Sequence, residues 1–295
     1  MKRTLFIAML SLLLPPLAAN ATAQNGCSIH TITGDWGFGA QGKSLVAAYT
    51  PDPTYHLPGA VLPGVFAGRV TIRTDGTFDG YYWMNLAGGV ISPSPIPFSG
   101  PVTVNPDCTG IWSYGAVMPD GSTFTVVEKF AIVDQGRELR SISWSTGIPT
   151  FTWTLVARRI PGRCTPGLVQ GAYALQYGGH ALVPGLPNPM PNPALLASSG
   201  LFDFTVDIGG AMSGRMLHKI GPVPFETPFT GTFEASADCA VTMTADVPGM
   251  GEVTAFGILV ENAQRGYGVP MWVMTPSGLE FEQPMYCELV RMKNR

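Results

Sequence analysis

Asp, Glu, Lys and Arg make up only 13% of the 295 residues, against 36 glycines, 27 prolines and a hydrophobic fraction of 45%. The high apolar fraction and the net charge of −3 exclude an intrinsically disordered chain, and the density of glycine and proline excludes a coiled coil or helical bundle. Because there is no excess of basic residues, the composition argues against nucleic acid as a partner.

Residues 1–23 have the pattern of a cleaved secretory signal peptide. A basic start, Met1 to Arg3, precedes an apolar run from Leu5 to Leu14 that is too short to span a bilayer. Ala21-Thr22-Ala23 then supplies a cleavage site. We therefore expect a secreted or periplasmic mature chain that starts near Gln24 and has no membrane span. Removal of Lys2 and Arg3 with the signal peptide changes the net charge from −3 to −5.

The remaining chain is a divergent tandem repeat with a period of about 135 residues. Cys27 through Gly34-Asp35-Trp36 matches Cys164 through Gly171-Ala172-Tyr173, and the block 97–108 matches the block 228–239 without gaps. We predict two domains, 24–160 and 161–295, joined by a linker from Arg158 to Arg163.

The repeat also sorts the five cysteines. Cys27 with Cys108 and Cys164 with Cys239 are equivalent pairs, so we predict one disulfide in each domain of an exported protein. Cys287 is left over and aligns with Trp153 in the first repeat. It alternates with apolar residues and is predicted to be a buried free thiol, although a reactive or intermolecular cysteine is the alternative.

Strand signals with a period of two recur in chain order through both halves. Val70 and Ile72 alternate with Arg69, Thr71 and Arg73, and turn signals such as Thr74-Asp75-Gly76 separate the runs. Seven or eight short strands in each half, apolar on one face, predict an all-β fold made of antiparallel barrels or sandwiches.

Two features resemble known families. Gly34-Asp35-Trp36 at the start of the first strand, with Arg158 or Arg159 at the end of the last, resembles the calycins, the lipocalin and avidin group. The second half keeps this pattern as Gly171-Ala172-Tyr173 with Arg291. The cysteine pattern with 134–139 also resembles uncharacterised secreted bacterial domains with allene oxide cyclase-like barrels. The resemblance implies two tandem up-and-down β-barrels, and it carries over no catalytic motif.

The segment Gly37 to Ser44 matches the P-loop pattern. That motif needs a helix directly after its last glycine, and Pro51 follows Lys43 too closely for one. We interpret the segment as the glycine-rich end of the first strand. The four histidines are scattered at no metal-ligand spacing, so we expect neither a metal nor a cofactor.

Two proline-rich loops, at 51–63 and 184–193, directly follow the first strand of each half. In lipocalin-like barrels the first loop covers the mouth of the cavity, so the resemblance implies two lids. The alternative is a pair of stiff surface loops that pack one barrel on the other. The candidate ligand contacts are Tyr55, His56, Leu186 and Met190 in these loops, with Tyr82 and Met84 on a strand.

Glu128 shares the strand phase of Phe124, Val126, Phe130 and Ile132, which should point into the first barrel. An inward carboxylate there is a candidate acid, base or ligand anchor. Its equivalent in the second repeat is approximately Thr254, so only the first domain would carry it.

The leading hypothesis is that the protein binds a small apolar or amphipathic ligand without catalysis. One alternative is a cyclase or isomerase of the allene oxide cyclase type, with Glu128 as its acid or base. The other is a structural or adhesive module with filled barrels. Inward side chains that favour a filled second barrel are Phe202, Phe204, Phe229 and Phe233.

Overall fold

The computed structural model describes residues 26–45, 61–86, 90–91, 94–117, 123–145, 151–160, 162–183, 194–220, 222–274, 280–281 and 285–293. The predicted signal peptide, residues 51–60 of the first proline-rich loop and the whole second loop, with Tyr55, His56, Leu186 and Met190, lie outside this range. Residues 61–63, predicted as the end of the first loop, instead begin a strand. No helix in the described residues is both long and apolar enough to cross a membrane.

The chain folds into two closed antiparallel barrels in tandem, which confirms the all-β, up-and-down prediction. In each barrel, eight strands follow one another in chain order, and the first strand pairs with both the second and the last. A two-residue strand, β4 or β17, extends one hairpin of each barrel. The first barrel contains β1 (Gly34–Leu45), β2 (Val61–Ile72), β3 (Thr77–Leu86), β4 (Val90–Ile91), β5 (Ile96–Val104), β6 (Thr109–Val117), β7 (Thr123–Val133), β8 (Glu138–Ser145) and β9 (Phe151–Arg159). The second contains β10 (Gly171–Val183), β11 (Ala194–Val206), β12 (Ala211–Ile220), β13 (Val223–Ala235), β14 (Ala240–Val247), β15 (Gly251–Val260), β16 (Arg265–Met274), β17 (Glu280–Phe281) and β18 (Met285–Arg291).

A four-residue helix precedes each barrel and closes one end of it. These helices are α1 (Ile29–Ile32) and α2 (Pro166–Val169). Trp36 is fully buried beneath α1 and donates its indole N–H to the carbonyl of Ile32 at 2.7 Å. The guanidinium of Arg159 lies 4.2 Å from the centre of that indole and donates to the carbonyls of Thr31 and Thr33. The glycine–tryptophan–arginine pattern is therefore a plug that satisfies the carbonyls of the short helix.

The second barrel repeats the plug with a tyrosine. Tyr173 is fully buried and donates its hydroxyl to the carbonyl of Val169 at 2.6 Å. Arg291 donates to the carbonyl of Leu168 at 2.9 Å, but its guanidinium lies 6.0 Å from the centre of the tyrosine ring.

The predicted linker from Arg158 to Arg163 begins two residues too early, because strand β9 continues through Arg159.

Both predicted disulfides are present, Cys27 with Cys108 and Cys164 with Cys239. They join residues 81 and 75 positions apart, a separation at which a disulfide stabilises a fold by about 4.5 kcal/mol in the chain-entropy account. They indicate folding in an oxidising compartment.

Cys287 is a buried free thiol, as expected. Ala40 and Tyr177 occupy the same position in the first strands of the two barrels. Ala40 pairs with Leu155, and Tyr177 pairs with Cys287. The structural equivalent of Cys287 is therefore Leu155, and the predicted alignment with Trp153 was wrong.

The two barrels pack against each other along their outer faces. The indole of Trp83 on β3 stacks on the ring of Phe256 on β15, and both belong to a core that continues across the contact. Gly37 on β1 has no room for a side chain, because a Cβ there would lie 2.5 Å from Val260. Gly37 and Gly39 of the P-loop-like segment are therefore in a strand, where they allow the second barrel to approach closely.

Polar contacts surround this apolar interface. Asp238 of the second barrel accepts a hydrogen bond from the Tyr81 hydroxyl at 2.7 Å, and its carboxylate lies 3.6 Å from Arg69. Asn85, fully buried, donates to the carbonyl of Pro270 at 2.8 Å. Because these groups are paired across the contact, the interface buries polar atoms without leaving the named donors unsatisfied.

Candidate functional site

Glu128 lies on β7 and its side chain is 1% exposed inside the first barrel, as its strand phase predicts. The pairing of β7 with β8 shifts register between Val127 and Glu128. Such a bulge re-aims the side chains beside it and is frequent near functional sites. Here it brings the carboxylate within reach of residues from three other strands.

Three neutral groups donate hydrogen bonds to this carboxylate. The Tyr114 hydroxyl on β6 and the indole N–H of Trp153 on β9 reach Oε1 at 2.8 and 2.9 Å. The Ser141 hydroxyl on β8 donates to Oε2. Burial, reinforced by the neighbouring Glu128, raises the pKa of Tyr114 well above its usual value, so this hydroxyl stays protonated and available as a donor. We call these four residues the Glu128 cluster.

No lysine, arginine or histidine of the described residues forms a salt bridge with Glu128. Glu138, a second buried glutamate of the first barrel, forms ion pairs with arginine. Its carboxylate lies 2.6 Å from both Arg158 and Arg140, and its hydrogen bonds to them lower its pKa against the opposing effect of burial. The fold thus neutralises one buried carboxylate with arginine and surrounds the other with neutral donors.

Aromatic rings line the barrel around the Glu128 cluster. Trp36 is at the start of β1, whereas Trp153 pairs with Gly42 near its end, so the cluster lies away from the plugged end. The Phe66 ring lies 5.8 Å from Trp153 and 5.9 Å from Tyr82, centre to centre. Burial raises the pKa of Tyr82 to about 12. This far half of the barrel therefore combines a carboxylate with aromatic faces.

Solvent reaches the far half more than the plugged half. Phe66 and Tyr114 are only partly buried, and Tyr82 and Trp153 keep 9% and 8% of their surface exposed. In the plugged half, by contrast, Trp36, Val70 and Leu139 are all at 0%. The interior of the first barrel is thus closed at one end and retains accessible aromatic surface towards the other.

Trp112 adds a second polar feature to this interior. It is the cross-strand neighbour of Glu128 on β6 and is buried against Phe78 and Phe130. Its indole N–H has no hydrogen-bond partner within the described part of the chain. A buried donor of this kind is satisfied when water or a ligand supplies an acceptor.

The second barrel lacks every member of the Glu128 cluster. Trp112 and Met243 occupy the same position, four residues after the second cysteine of their domain. Trp112 pairs with Glu128, and Met243 pairs with Ala255. The structural equivalent of Glu128 is therefore Ala255, and the predicted equivalent, Thr254, was one residue off. The hairpin between these strands is shorter in the second half, which shifts the alignment. In the same register, Tyr114, Ser141 and Trp153 correspond to Ala245, Gly268 and Met285.

The interior of the second barrel is filled by large side chains. Phe202, Phe204, Phe229 and Phe233 are all buried and contact one another, as the sequence predicts. The cavities among the described residues include two of about 20 and 30 Å³, lined mainly by apolar groups such as Leu175, Met243 and Leu289. Each has the size of a single water molecule, which is too small for a metabolite.

A different polar group lies in the second barrel and was missed by the sequence analysis. His218 on β12 is buried between the Tyr177 hydroxyl, which contacts Nδ1, and the Ser198 hydroxyl, 3.2 Å from Nε2. Burial lowers the pKa of His218 to about 4, so the ring is neutral at pH 7. The available signal was strand phase, since His218 alternates in step with the inward Met212 and Met216.

Of the ligand contacts predicted from the sequence, Tyr82 and Met84 fall in the described region. Both point into the first barrel, and Met84 is 3% exposed. Tyr82 lies beside the Glu128 cluster, whereas Tyr55, His56, Leu186 and Met190 lie outside the described residues. Within the described ranges, no group of three or more His, Cys, Asp or Glu side chains is arranged to hold a metal ion.

No family model and no curated protein matches the sequence. Similar solved structures include the isotype 1 transferrin binding protein B of serogroup B Neisseria meningitidis, with 9% identity and a TM-score of 0.28 over 88% of this chain and 77% of that chain. A tryptophan-to-alanine mutant of transferrin binding protein B from Haemophilus parasuis Hp5 gives 10% identity and a TM-score of 0.30 over 92% of this chain and 77% of that chain. Likeness at this level carries no argument about the function of this chain.

Proposed function

We propose that this protein is a secreted or periplasmic binding module whose first barrel takes up one small amphipathic ligand without converting it. The proposed domains are 24–160 for binding and 161–295 for support. The observation that carries the proposal is the Glu128 cluster, because a buried polar network is costly unless every member is satisfied. The same fold in the second half does without it, so the network is not required to build the barrel.

The geometry of the far half suits a ligand with one polar group and an apolar body. Glu128 accepts from three donors and so supplies a fixed polar point inside an otherwise apolar barrel. Phe66, Tyr82 and Trp153 provide aromatic surface beside it. Binding sites for small molecules typically combine such an apolar lining with a few convergent polar groups.

The second barrel acts, in this proposal, as a rigid support. Its interior is filled, and its outer face packs on strands β1, β2 and β3 of the first barrel. A first barrel held along three strands keeps its shape without a ligand, which reduces the entropic cost of binding one.

The proposal is tested by native mass spectrometry of the full-length protein after incubation with a crude lipid and metabolite extract. We expect a small-molecule adduct on the wild-type protein that is lost in Tyr82→Ala and Glu128→Gln. The matched control is Tyr177→Phe, which removes an interior hydroxyl from the filled barrel and should leave the adduct unchanged.

Three results would count against this proposal. The absence of any adduct contradicts it, and an adduct that survives both first-barrel substitutions places the ligand elsewhere. Recovery of the bound compound as a chemically altered product would support the cyclase or isomerase alternative instead. Circular dichroism of each variant shows whether a lost adduct reflects the site or a loss of folding.

A further inference from the structure

The charge balance around Glu128 points to a particular class of ligand. An isolated buried carboxylate is unfavourable unless it is paired, and the described residues give Glu128 three hydrogen bonds but no positive charge. Glu138, on the outward face of β8, is by contrast balanced by Arg158 and Arg140. The positive charge that balances Glu128 is therefore to be sought in the ligand.

The described residues leave one acceptor position of this carboxylate unoccupied. An ionised carboxylate has about four acceptor sites over its two oxygens. Oε1 accepts from both Tyr114 and Trp153, and Oε2 accepts from Ser141. The fourth site, on Oε2, is thus available to an N–H donor without the loss of any bond already present.

The surrounding rings favour a cation over a neutral donor. Tyr82, Tyr114 and Trp153 contribute aromatic groups to the same half of the barrel, with Phe66 between the rings of Tyr82 and Trp153. The face of an aromatic ring attracts a nearby positive charge, and the attraction is greater when both are removed from water. A carboxylate and several aromatic rings together form a recognised environment for an ammonium group.

We propose that the ligand of the first barrel is a protonated amine, with its ammonium group on Oε2 of Glu128 and its apolar body among the aromatic side chains of the far half. This inference rests on the proposed function and specifies the chemical class of the ligand. No covalent bond is made or broken, since the amine enters and leaves in its protonated form. The closest alternatives are a neutral alcohol and a carboxylate of the same shape.

The experiment compares octylamine, octanol and octanoate by isothermal titration calorimetry against the full-length wild-type protein at pH 7. The three compounds share an apolar chain and differ in the charge of the head group. We expect octylamine to bind about tenfold or more tightly than octanol, and octanoate to bind least, because a charge-assisted hydrogen bond is about twice as strong as a neutral one. This comparison needs no variant and so does not depend on how a variant folds.

Two substitutions then locate the preference. Glu128→Gln keeps the shape of the side chain but removes its charge, and we expect it to bring octylamine and octanol to about equal affinity. Tyr114→Phe removes one donor and keeps the carboxylate, so it should retain the preference for the amine. Unfolding temperatures of both variants show whether the barrel is intact.

The outcomes separate this inference from the proposed function. Equal binding of octylamine and octanol to the wild-type protein, or tightest binding of octanoate, overturns the amine inference and leaves the small-ligand proposal standing. A preference for octylamine that persists in folded Glu128→Gln also overturns it. No binding of any octyl compound overturns the amine inference, and if the extract also yields no adduct, the proposed function fails with it.

Discussion

The indole of Trp83 and the phenyl ring of Phe256 stack with their centres 5.8 Å apart and their planes 9° apart, although they belong to different barrels. Trp83 is on the outer face of its own barrel and is nevertheless 6% exposed. The stack makes the outer face of one barrel part of the core of the other. The stability of the two barrels should therefore be coupled through this contact.

Trp83→Ala should lower the free energy of unfolding by about 3–5 kcal/mol, the usual cost of removing a buried tryptophan. The matched control is Trp144→Ala, because Trp144 is 62% exposed and, even with the Lys129 ammonium over its ring, should change stability by less than about 1 kcal/mol. Urea denaturation measures both. If the loss for Trp83→Ala is as small as that expected for Trp144→Ala, the contact between the barrels does not stabilise the protein.

Gly39 allows the same close approach at a second point. A Cβ at this position would lie 2.6 Å from Cε2 of Tyr286 and 2.9 Å from the ring of Tyr267. Gly39→Ala should therefore destabilise the protein by about 1–3 kcal/mol through overpacking. Gly178→Ala is the control, since it has open space around it in β10 and should be neutral or slightly stabilising. Thermal unfolding of the two variants makes the comparison, and a neutral Gly39→Ala would argue against this packing.

The arginine plug of the first barrel should contribute more than that of the second. Arg159→Met leaves the carbonyls of Thr31 and Thr33 without their donor and removes the cation from the Trp36 face, so we expect a loss of about 2–4 kcal/mol. Arg291→Met should cost less, because its guanidinium is farther from the aromatic ring. Arg137→Met, which replaces an exposed arginine whose side chain bonds to Asp134, serves as the control in the same denaturation series. The reverse order for Arg159 and Arg291 would contradict this account.

His218 should make stability depend on pH. Its pKa is about 4 in the folded protein and about 6.5 in an unfolded chain. The unfolded chain therefore binds more protons between these values, and stability is lost as pH falls from about 6.5 towards 4. We expect His218 to account for a loss of about 2 kcal/mol over this window.

Urea denaturation at several pH values between 7.5 and 4.5 tests this dependence. His218→Asn, which does not titrate in this range, should give a flatter profile than the wild-type protein. If the two profiles run parallel, the histidine does not cause the loss. Because the carboxylates titrate in both proteins, the difference between the profiles isolates the contribution of His218.

Cys287 should be chemically silent in the folded protein. It is 3% exposed, and burial raises the pKa of its thiol, so little of the reactive thiolate is present at pH 8. Mass spectrometry after iodoacetamide treatment should find no label on the native protein, one label after unfolding and five after unfolding with reduction. A label on the native protein would instead indicate a reactive or exposed Cys287.

Local pattern predicted much of the fold. The alternation in Val70 and Ile72 gives the strands, and the repeated Cys27–Cys108 and Cys164–Cys239 spacing gives the disulfides. Trp36 with a terminal arginine resembles the calycin pattern and so indicates a barrel, and the phase of Glu128 places its side chain inside. These features depend on neighbours along one strand or on exact repetition, which a linear sequence displays.

The partners of Glu128 and the packing of the two barrels were decided only by the tertiary structure. Tyr114, Ser141 and Trp153 are 14, 13 and 25 residues from Glu128, and the register and bulge of three strand pairings bring them together. The true equivalence of Glu128 with Ala255 likewise depends on hairpin length, which shifts an alignment without changing any local pattern. The sequence by itself determined two tandem β-barrels, each with an internal disulfide, and an inward carboxylate in the first. Which residues surround that carboxylate, and which glycines face the other barrel, follow from long-range pairing, because contacts between distant strands leave no periodic trace along the chain.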